Sequence, residues 1–468
     1  MATDDFIIHA LNLERRQIQT ISTFLLKGVL IIFIQLTIMS GIECPYCGGP
    51  VKIKGYSIRE YNHLDIAGTP SRIRWKRRRF VCKHCGHSFS EANPFGPEKF
   101  KSSYAVLSSI AKDLRNIHLS FRDIAEKHHV SVTLVQLYAD SFLRVPRQPL
   151  SQNMGIDEIH SKMAKYGGSY LCTITDNHNR ALLEILPNRS KRTLSRYFEV
   201  IPMEERKNVK YVTIDLWEPY KDVAIKYFPN CHVAADPFHV VKNLYDGFTR
   251  LRIDIMNQCV KDSPEYYLLK KWHKLLEDDR NLDNEPQYNG YFRQKLNYRD
   301  LYDMLLDLNP DLTLAYKLKE KYRRFNKTCS FEDAPEKLDE LIEVFQSADL
   351  YCYKEFTSLL IRWRKEIIYS FERPSQERKQ SNALTEGTNQ KLRELMNIAN
   401  GFANFERFRA RAIYCLNNRV FYSLTQSLYS KKRQGRKRGP YNKHSPILKD
   451  DPDNSVDTMK DGPDSQDS

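Results

Sequence analysis

The sequence predicts an α/β protein in which a mixed β-sheet is interrupted by a helical insertion and preceded by two small modules. Three observations support this prediction. Residues 153–240 alternate short apolar strands with helical stretches, and residues 240–375 carry Tyr, Leu and Lys at helical spacing. Residues 21–95 are strand-rich and contain two closely spaced cysteine pairs. The 468 residues are enough for several domains of roughly 100–200 residues each.

The composition indicates an anionic partner. The formal net charge is +15 and the isoelectric point is about 9.2, and nucleic acid is the first candidate partner for such a basic chain. A basic surface without a nucleic-acid role is the alternative on charge alone. The ten cysteines include six that are scattered without a spacing pattern. This usage argues against a small secreted disulfide scaffold and favours a reducing cytoplasm.

An apolar stretch at residues 21–39 has the length of a marginal membrane span. Lys27 and Gly28 interrupt it, and residues 34–38 alternate apolar and polar side chains, which favours strands. We therefore predict two strands joined by a turn at these two residues, and no membrane association. A signal anchor is the alternative interpretation.

Two C-x-x-C turns predict a metal site formed by Cys44, Cys47, Cys82 and Cys85. Each turn places two thiolates on the same side, and two turns make a tetrahedral four-sulfur site suited to one structural Zn²⁺ ion. The segment between the pairs can hold a β-hairpin, so residues 1–95 are predicted to form N-terminal strands and a zinc ribbon. A redox dithiol is one alternative, and His84 or His87 as a competing ligand is another.

Basic residues between the two cysteine pairs alternate with Ile73 and Trp75. In a strand, this alternation places the basic side chains on one face. A basic strand on a zinc ribbon is suited to contact DNA phosphates. The predicted DNA-binding residues of this strand are Arg72, Arg74, Lys76, Arg77 and Arg78. A solvated edge strand protected by its charges is the alternative.

Residues 119–138 have the rhythm of a helix-turn-helix. Ser120 is predicted to cap the first helix, His129 to lie in the turn and Ser131 to cap the second helix. The residues predicted to face outward, toward a DNA major groove, are Thr133, Gln136 and Tyr138. The predicted DNA-binding domain covers residues 100–148, and an ordinary helical hairpin is the alternative.

Two aspartates lie in predicted strands: Asp157 at the middle of the first and Asp215 at the end of the fourth. The order of elements in residues 153–240 is β-β-β-α-β-α-β, that of a ribonuclease-H-like sheet, in which these two residues are neighbours. Adjacent carboxylates repel each other and need a divalent metal to stay ionised together. Mg²⁺ prefers oxygen ligands, and two such ions about 4 Å apart can activate a water or a 3′-hydroxyl.

A third carboxylate usually completes this kind of site, and Glu386 supplies it early in a predicted helix. Asn389 and Arg393 follow three and seven residues later, so the three side chains share one helical face. That face offers an amide and a cation to a DNA phosphate beside the metal ligand. For any one of the 58 acidic residues, a solvated or capping carboxylate is the alternative.

Four motifs together resemble those of bacterial insertion-sequence transposases of the ISL-three (ISL3) family, which are DDE enzymes. The motifs are Gly-Ile-Asp157-Glu, Thr-Ile-Asp215-Leu-Trp-Glu-Pro-Tyr, Ala-Asp236-Pro-Phe-His239-Val-Val and Asn382-x-x-x-Glu386-Gly-x-Asn389. The resemblance covers about residues 40–425. The apolar start of the chain and its charged end depart from the family pattern.

The resemblance implies that Asp157, Asp215 and Glu386 are the catalytic triad, which binds two Mg²⁺ or Mn²⁺ ions. It also implies that Asp236 and His239 form an auxiliary motif, to which we add Asn389 and Arg393 as auxiliary residues on the helix of Glu386.

The predicted fold class is therefore α/β, with a ribonuclease-H-like catalytic domain in two parts, residues 150–240 and 376–428. An all-α insertion at residues 241–375 separates the two parts. The tail, residues 429–468, is basic and then acidic and is predicted to be disordered. A minor-groove hook formed by its basic run is the alternative.

The predicted function is DNA transposition, in which the ribbon and the helix-turn-helix bind terminal inverted repeats and the catalytic sheet cuts and joins DNA. The predicted partners are double-stranded DNA, as transposon ends and target, and further copies of the chain on that DNA. The predicted location is the bacterial cytoplasm, at the nucleoid. Two alternatives remain open: a zinc-containing DNA-binding regulator without catalytic activity, and a ribonuclease-H-like nuclease without strand transfer.

Overall fold

The computed structural model describes residues 2–38, 41–98, 100–143, 145–164, 168–277, 280–374, 379–398, 402 and 404–417. All of these belong to one unit, Met1–Gln426. The tail predicted to be disordered, residues 429–468, lies outside the described residues.

The N-terminal region contains one helix and a five-stranded sheet, with the bounds α1 Ala2–Ala10, β1 Ile18–Leu26, β2 Val29–Leu36, β3 Val51–Ile66, β4 Thr69–Cys82 and β5 Ser88–Ser90. The strand order is β1-β2-β4-β3, and β5 pairs with β4. The predicted turn is confirmed, since Lys27 and Gly28 have φ values of 52° and 77°, as a tight hairpin turn requires. No helix among the described residues has both the length and the apolar character of a membrane span.

Three helices follow, with the bounds α2 Tyr104–Asp113, α3 Phe121–Lys127 and α4 Val132–Phe142. Both predicted caps are confirmed: the Ser120 hydroxyl accepts from the backbone N–H of Asp123, and the Ser131 hydroxyl from that of Leu134. The prediction that Tyr138 faces outward is wrong. Tyr138 is buried, because it lies on the apolar face of α4, and its ring is 4.8 Å from that of Phe100.

The central region has the bounds β6 Asn153–His160, β7 Tyr170–Asp176, β8 Ala181–Leu186, α5 Lys191–Glu199, α6 Met203–Lys207, β9 Tyr211–Ile214, α7 Glu218–Tyr227 and β10 His232–Ala235. These strands form a sheet of order β10-β9-β6-β7-β8. β6 is antiparallel to β7 and parallel to β9, which in turn is parallel to β10. The predicted order of elements holds, with one addition: the short polar helix α6 has too few apolar residues to show a helical period.

The next region has the bounds α8 Pro237–Gln258, α9 Pro264–Lys271, β11 Gln287–Asn289, β12 Gln294–Leu296, α10 Tyr298–Leu306, α11 Pro310–Thr328, α12 Ala334–Ala348, α13 Lys354–Arg362 and α14 Arg364–Tyr369. The prediction that the insertion is all-α is wrong, because β11 and β12 pair as an antiparallel hairpin. Strands of three residues are too short to leave a period-two pattern. Helix α14 returns to β10, where the Tyr369 ring stacks on that of His232 at 4.2 Å.

The last described helices are α15 Ala383–Ile398 and α16 Phe405–Leu416.

Successive side chains of β6 point alternately into two apolar cores, one on each face of the sheet. Met154 and Ile156 pack in the core that the sheet shares with α5, α7 and the insertion. Ile159 packs in the core that it shares with α15, α16 and helices α2 to α4. Asp157 therefore points toward the face that α15 covers.

Gly155 allows α15 to approach β6 closely. A Cβ atom on Gly155 would clash with the Thr385 hydroxyl and would lie 2.9 Å from Asn382 Oδ1. We expect Gly155→Ala to displace the start of α15 and to reduce the free energy of unfolding by about 1–3 kcal/mol, as measured by urea denaturation.

Gly387→Ala is the matched control for this substitution. Gly387 lies within α15, and a Cβ atom there would have no heavy atom of the described residues within 4 Å apart from the backbone of its own helix. Alanine there should stabilise the chain by about 0.5–1 kcal/mol, because it favours the helix. Equal effects of the two substitutions would contradict the close approach.

Candidate active site and cysteine cluster

Asp157 in β6 and Asp215, directly after β9, lie side by side because these two strands are parallel neighbours. Ile156 of β6 is paired with Ile214 of β9. The residues that follow them, Asp157 and Asp215, are therefore neighbours. One carboxylate oxygen from each, and one from Glu158, lie within 4.8 Å of one another. Burial and the nearby Asp157 carboxylate raise the pKa of Asp215 to about 9. Such a crowded group is suited to a divalent cation, which would replace the proton and offset the repulsion.

A second group adjoins the first at the start of α8. His239 Nε2 lies 3.1 Å from Asp215 Oδ2, and atoms of Asp215, Asp236 and His239 lie within 4.8 Å of one another. Burial raises the pKa of Asp236, and the backbone N–H of Asn382 donates to its Oδ1 at 3.1 Å. Asp215 therefore belongs to both groups and connects the predicted auxiliary motif with Asp157.

Two amide side chains from the α15 segment hold the aspartates. Asn389 Nδ2 donates to Asp157 Oδ2 at 2.7 Å, and its Oδ1 accepts from the Thr173 hydroxyl at 2.9 Å. Asn382, directly before α15, donates from Nδ2 to Asp215 Oδ1 at 3.2 Å. Sequence reasoning placed Asn389 near the site but missed the contact that Asn382 makes with Asp215.

The structure does not bring Glu386 into either group. Its side chain is exposed, and within the described part of the chain it joins no cluster of ligand atoms that all lie within 4.8 Å. It lies on α15 between Asn382 and Asn389, within about 60° of each around the helix axis. Arg393 is exposed as well, whereas Asn389 is buried against the sheet.

Glu158 is an acid of this group that sequence reasoning missed. It follows Asp157 in β6, and Arg189 Nη1 donates to its Oε1 at 2.5 Å. The Tyr220 hydroxyl donates to its Oε2 at 3.3 Å. Burial raises the pKa of Glu158. The only signal in the sequence is its position beside Asp157, and strand alternation argues against two consecutive residues reaching one site.

The four predicted zinc ligands meet at one end of the β3–β4 hairpin. Cys44 Sγ lies 3.7 Å from Cys85 Sγ, and Cys47 Sγ lies 3.5 Å from Cys82 Sγ. All four sulfur atoms lie within 4.8 Å of one another. Zn–S bonds of about 2.3 Å in a tetrahedron require sulfur atoms about 3.8 Å apart. The donor set therefore fits a zinc ion.

Local backbone groups prepare one of these thiols for metal binding. The N–H groups of Cys85 and His84 donate to Cys82 Sγ at 3.3 and 3.2 Å and lower the pKa of the Cys82 thiol to about 6. In the described chain, neither His84 nor His87 joins the cluster, so the four-cysteine set is favoured over the histidine alternatives.

Two arginines predicted to contact DNA are instead enclosed within the N-terminal sheet. Arg78 is only 1% exposed and pairs with Glu91 at 2.7 Å. Arg77 is 8% exposed and pairs with Glu98 at 2.7 Å. The predicted DNA contact of Arg77 and Arg78 is therefore corrected, because the segment after β5 folds over them and supplies the two glutamates.

We expect Arg78→Ala to reduce the free energy of unfolding by about 3–5 kcal/mol, since it leaves the Glu91 carboxylate enclosed without its partner. Arg72→Ala is the matched control on the same strand; its exposed pair with Glu60 should contribute less than about 1 kcal/mol. Urea denaturation followed by circular dichroism measures both. A loss for Arg78→Ala no larger than that of the control would refute the structural role.

The other predicted DNA-binding residues remain accessible. Arg72 and Arg74 share Glu60 at 2.9 and 2.8 Å, and Lys76 lies over the Tyr56 ring at 4.7 Å. These side chains are at least partly exposed, as are Thr133 and Gln136 on α4.

Two family models match this chain. Residues 154–412, more than half of the chain, match the model of the ISL3 DDE family, which is described as "Transposase". Residues 40–85 match the "zinc-finger of transposase IS204/IS1001/IS1096/IS1165". The first match spans the central sheet and the insertion and extends into α16, and the second spans the cysteine cluster.

Curated relatives agree with these matches. The chain is 25% identical over 288 residues to the transposase for insertion sequence element IS1001 of Bordetella parapertussis, covering 60% of this chain and 67% of that protein. It is 25% identical over 304 residues to the transposase for IS1557 of Mycobacterium tuberculosis strain CDC 1551 / Oshkosh, covering 61% and 65%. The chain thus spans about two thirds of the length of these relatives. The family match over more than half of its residues shows that the chain belongs to the ISL3 family of DDE transposases.

Proposed function

We propose that this chain is a DNA transposase that binds the terminal inverted repeats of an insertion sequence and catalyses metal-dependent strand cleavage and strand transfer. The observation that carries this proposal is the proximity of Asp157 in β6 to Asp215, directly after β9, each with an amide donor from the α15 segment. The sheet order β10-β9-β6-β7-β8 supports a ribonuclease-H-like catalytic domain.

Asp157 and Asp215 would hold the metal ions of this site. Two Mg²⁺ or Mn²⁺ ions would polarise the reacting phosphate and activate a water or a DNA 3′-hydroxyl. Asn389 and Asn382 orient the two carboxylates through their N–H groups. His239 lies against Asp215 and is half-exposed, so it can orient the DNA or the reacting phosphate.

Glu386 completes the triad in this proposal. Its support is its place on α15 between Asn382 and Asn389, which already contact Asp215 and Asp157. Its exposed carboxylate can turn toward ions that those aspartates hold. Arg393, also exposed and nearly two turns further along α15, would contact the DNA backbone.

The N-terminal modules would supply DNA binding. The cysteine cluster would hold one structural Zn²⁺ ion in a ribbon that presents Arg72, Arg74 and Lys76. The pair α3 and α4, with a left-handed turn residue at His129, supports a helix-turn-helix that presents Thr133 and Gln136. The proposal includes the predicted domain limits. It also includes the assembly of several copies of the chain on paired transposon ends and their location at the bacterial nucleoid.

The test uses duplexes that carry the inverted repeats flanking the gene. Purified chain with Mg²⁺ is expected to nick these ends and to join pre-cleaved 3′ ends to a target plasmid, and scrambled repeats should remain intact. Binding of the ends with neither nicking nor joining would favour a regulator. Nicking without joining would favour a nuclease.

A further inference from the structure

An arginine beside the carboxylate group is layered between two aromatic rings. The guanidinium carbon of Arg189 lies 4.4 Å from the centroid of the Tyr170 ring and 4.5 Å from that of Trp217. Tyr170 begins β7, and Trp217 follows Asp215 by two residues. The strand paired with β6 and the segment directly after Asp215 therefore fix the plane of this guanidinium through two cation–π contacts.

Glu158 connects Arg189 to the two aspartates. Arg189 Nη1 donates to Glu158 Oε1 at 2.5 Å, and one Glu158 oxygen lies within 4.8 Å of oxygens of Asp157 and Asp215. A single carboxylate thus separates the guanidinium from the place where the reacting phosphate would lie.

The contact with Glu158 uses only part of the hydrogen-bonding capacity of the Arg189 guanidinium. Arginine carries five N–H groups, and among the residues that the structure describes only Glu158 accepts from Arg189. The Arg189 side chain is 29% exposed and Trp217 is 39% exposed, so one edge of this layer faces solvent. A planar guanidinium held in one orientation matches two oxygens of a phosphate, which a flexible lysine does less well.

We propose that Arg189 binds the DNA phosphate next to the one that reacts, and that Tyr170 and Trp217 hold the guanidinium for that contact. Glu158 is a positioning residue, which holds the arginine in the DNA-free protein. This inference rests on the proposed function, because it requires DNA at the carboxylate group.

The first experiment measures binding of a transposon-end duplex by fluorescence anisotropy, without added divalent metal, between about 50 and about 200 mM salt. Arg189→Gln is expected to weaken binding about 5- to 10-fold and to reduce the slope of log affinity against log salt by about 1. Arg180→Gln is the matched control, since Arg180 is exposed and lies at the opposite end of the β7–β8 hairpin. It removes the same charge and should leave affinity within about twofold of the wild type, because its distance from the site screens it.

The second experiment locates the phosphate. Neutral methylphosphonates are placed one at a time around the cleavage point, and one or two positions should weaken wild-type binding about 5- to 10-fold, as loss of a charged contact does. Arg189→Gln should be insensitive at those positions. If that variant does not fold, Arg189→Lys takes its place. The lysine charge should keep the salt slope of the wild type, but methylphosphonates at those positions should weaken its binding by less than about half as much as they weaken wild-type binding.

The outcomes separate the two proposals. A wild-type chain that binds transposon ends no better than scrambled DNA would refute the proposed function. If the wild type discriminates but Arg189→Gln behaves like Arg180→Gln, only the role of Arg189 is refuted. A methylphosphonate profile of Arg189→Lys that equals the wild-type profile would refute it as well.

Discussion

Asp157→Asn and Asp215→Asn should each slow cleavage of transposon ends by at least roughly 10³-fold, since a metal ion contributes several kcal/mol to transition-state stabilisation and each 1.36 kcal/mol is a factor of ten. An amide retains the shape and can still accept the N–H bonds from Asn389 and Asn382, but it lacks the negative charge that holds the ions. Single-turnover cleavage with Mg²⁺ measures the loss, and end binding should stay within about threefold.

The matched control is Asp222→Asn. Asp222 is an exposed acid on α7 whose partner is Lys191, and its replacement should leave cleavage within about twofold, as expected for an exposed pair. Normal cleavage by either Asp157→Asn or Asp215→Asn would overturn the assignment of that residue.

Glu386→Gln tests the third member of the triad in the same assay, with Glu394→Gln on the same helix as its control. The proposal expects a loss as large as those of the aspartate variants. If Glu386→Gln cleaves normally while the aspartate variants do not, Glu386 is not the third acid. Glu158, which the structure places with the two aspartates, is then the next acid to replace.

The sequence was sufficient to predict those parts of the fold that depend on local patterns. Ser120 and Ser131 cap their helices because a hydroxyl before a helical period satisfies a free N–H group. The proximity of Asp157 and Asp215 followed from the order of strands alone, and the β6–β9 register brings it about. The cluster of the four cysteines could be predicted because each C-x-x-C turn presents two thiols on the same side, and two such turns complete a tetrahedral site.

Contacts between distant segments could not be predicted. Arg77 and Arg78 belong to a strand whose alternation suggests a solvated basic face, and nothing local shows that Glu91 and Glu98 fold back over them. The role of Asn382 depends on how α15 lies across β6, more than 220 residues earlier in the chain. Gly155 permits that approach, yet a single glycine in a strand does not reveal which element it faces.

Zinc removal should unfold one end of the N-terminal sheet while the other end and the catalytic sheet stay folded. The turn around Cys44 and Cys47 has little apolar packing, and Tyr46 within it is exposed. Zinc–sulfur bonds would therefore be its main tertiary contacts, and such sites bind Zn²⁺ with about 10–16 kcal/mol in zinc-finger peptides. Ile73 and Trp75 pack in a separate apolar core of the same sheet, which does not need the metal.

Cys82→Ser is expected to reduce bound zinc from one ion per chain to none, as measured by metal analysis. Limited proteolysis should then cut within residues 41–50 and 83–88, whereas the wild type resists, and Mg²⁺-dependent joining of pre-cleaved ends should fall with end binding. Cys231→Ser is the control, because Cys231 is a partly buried thiol outside the cluster. A zinc-free variant that keeps the wild-type protease resistance would show that the ribbon folds without the metal, because the apolar core around Trp75 would then suffice to order both C-x-x-C turns.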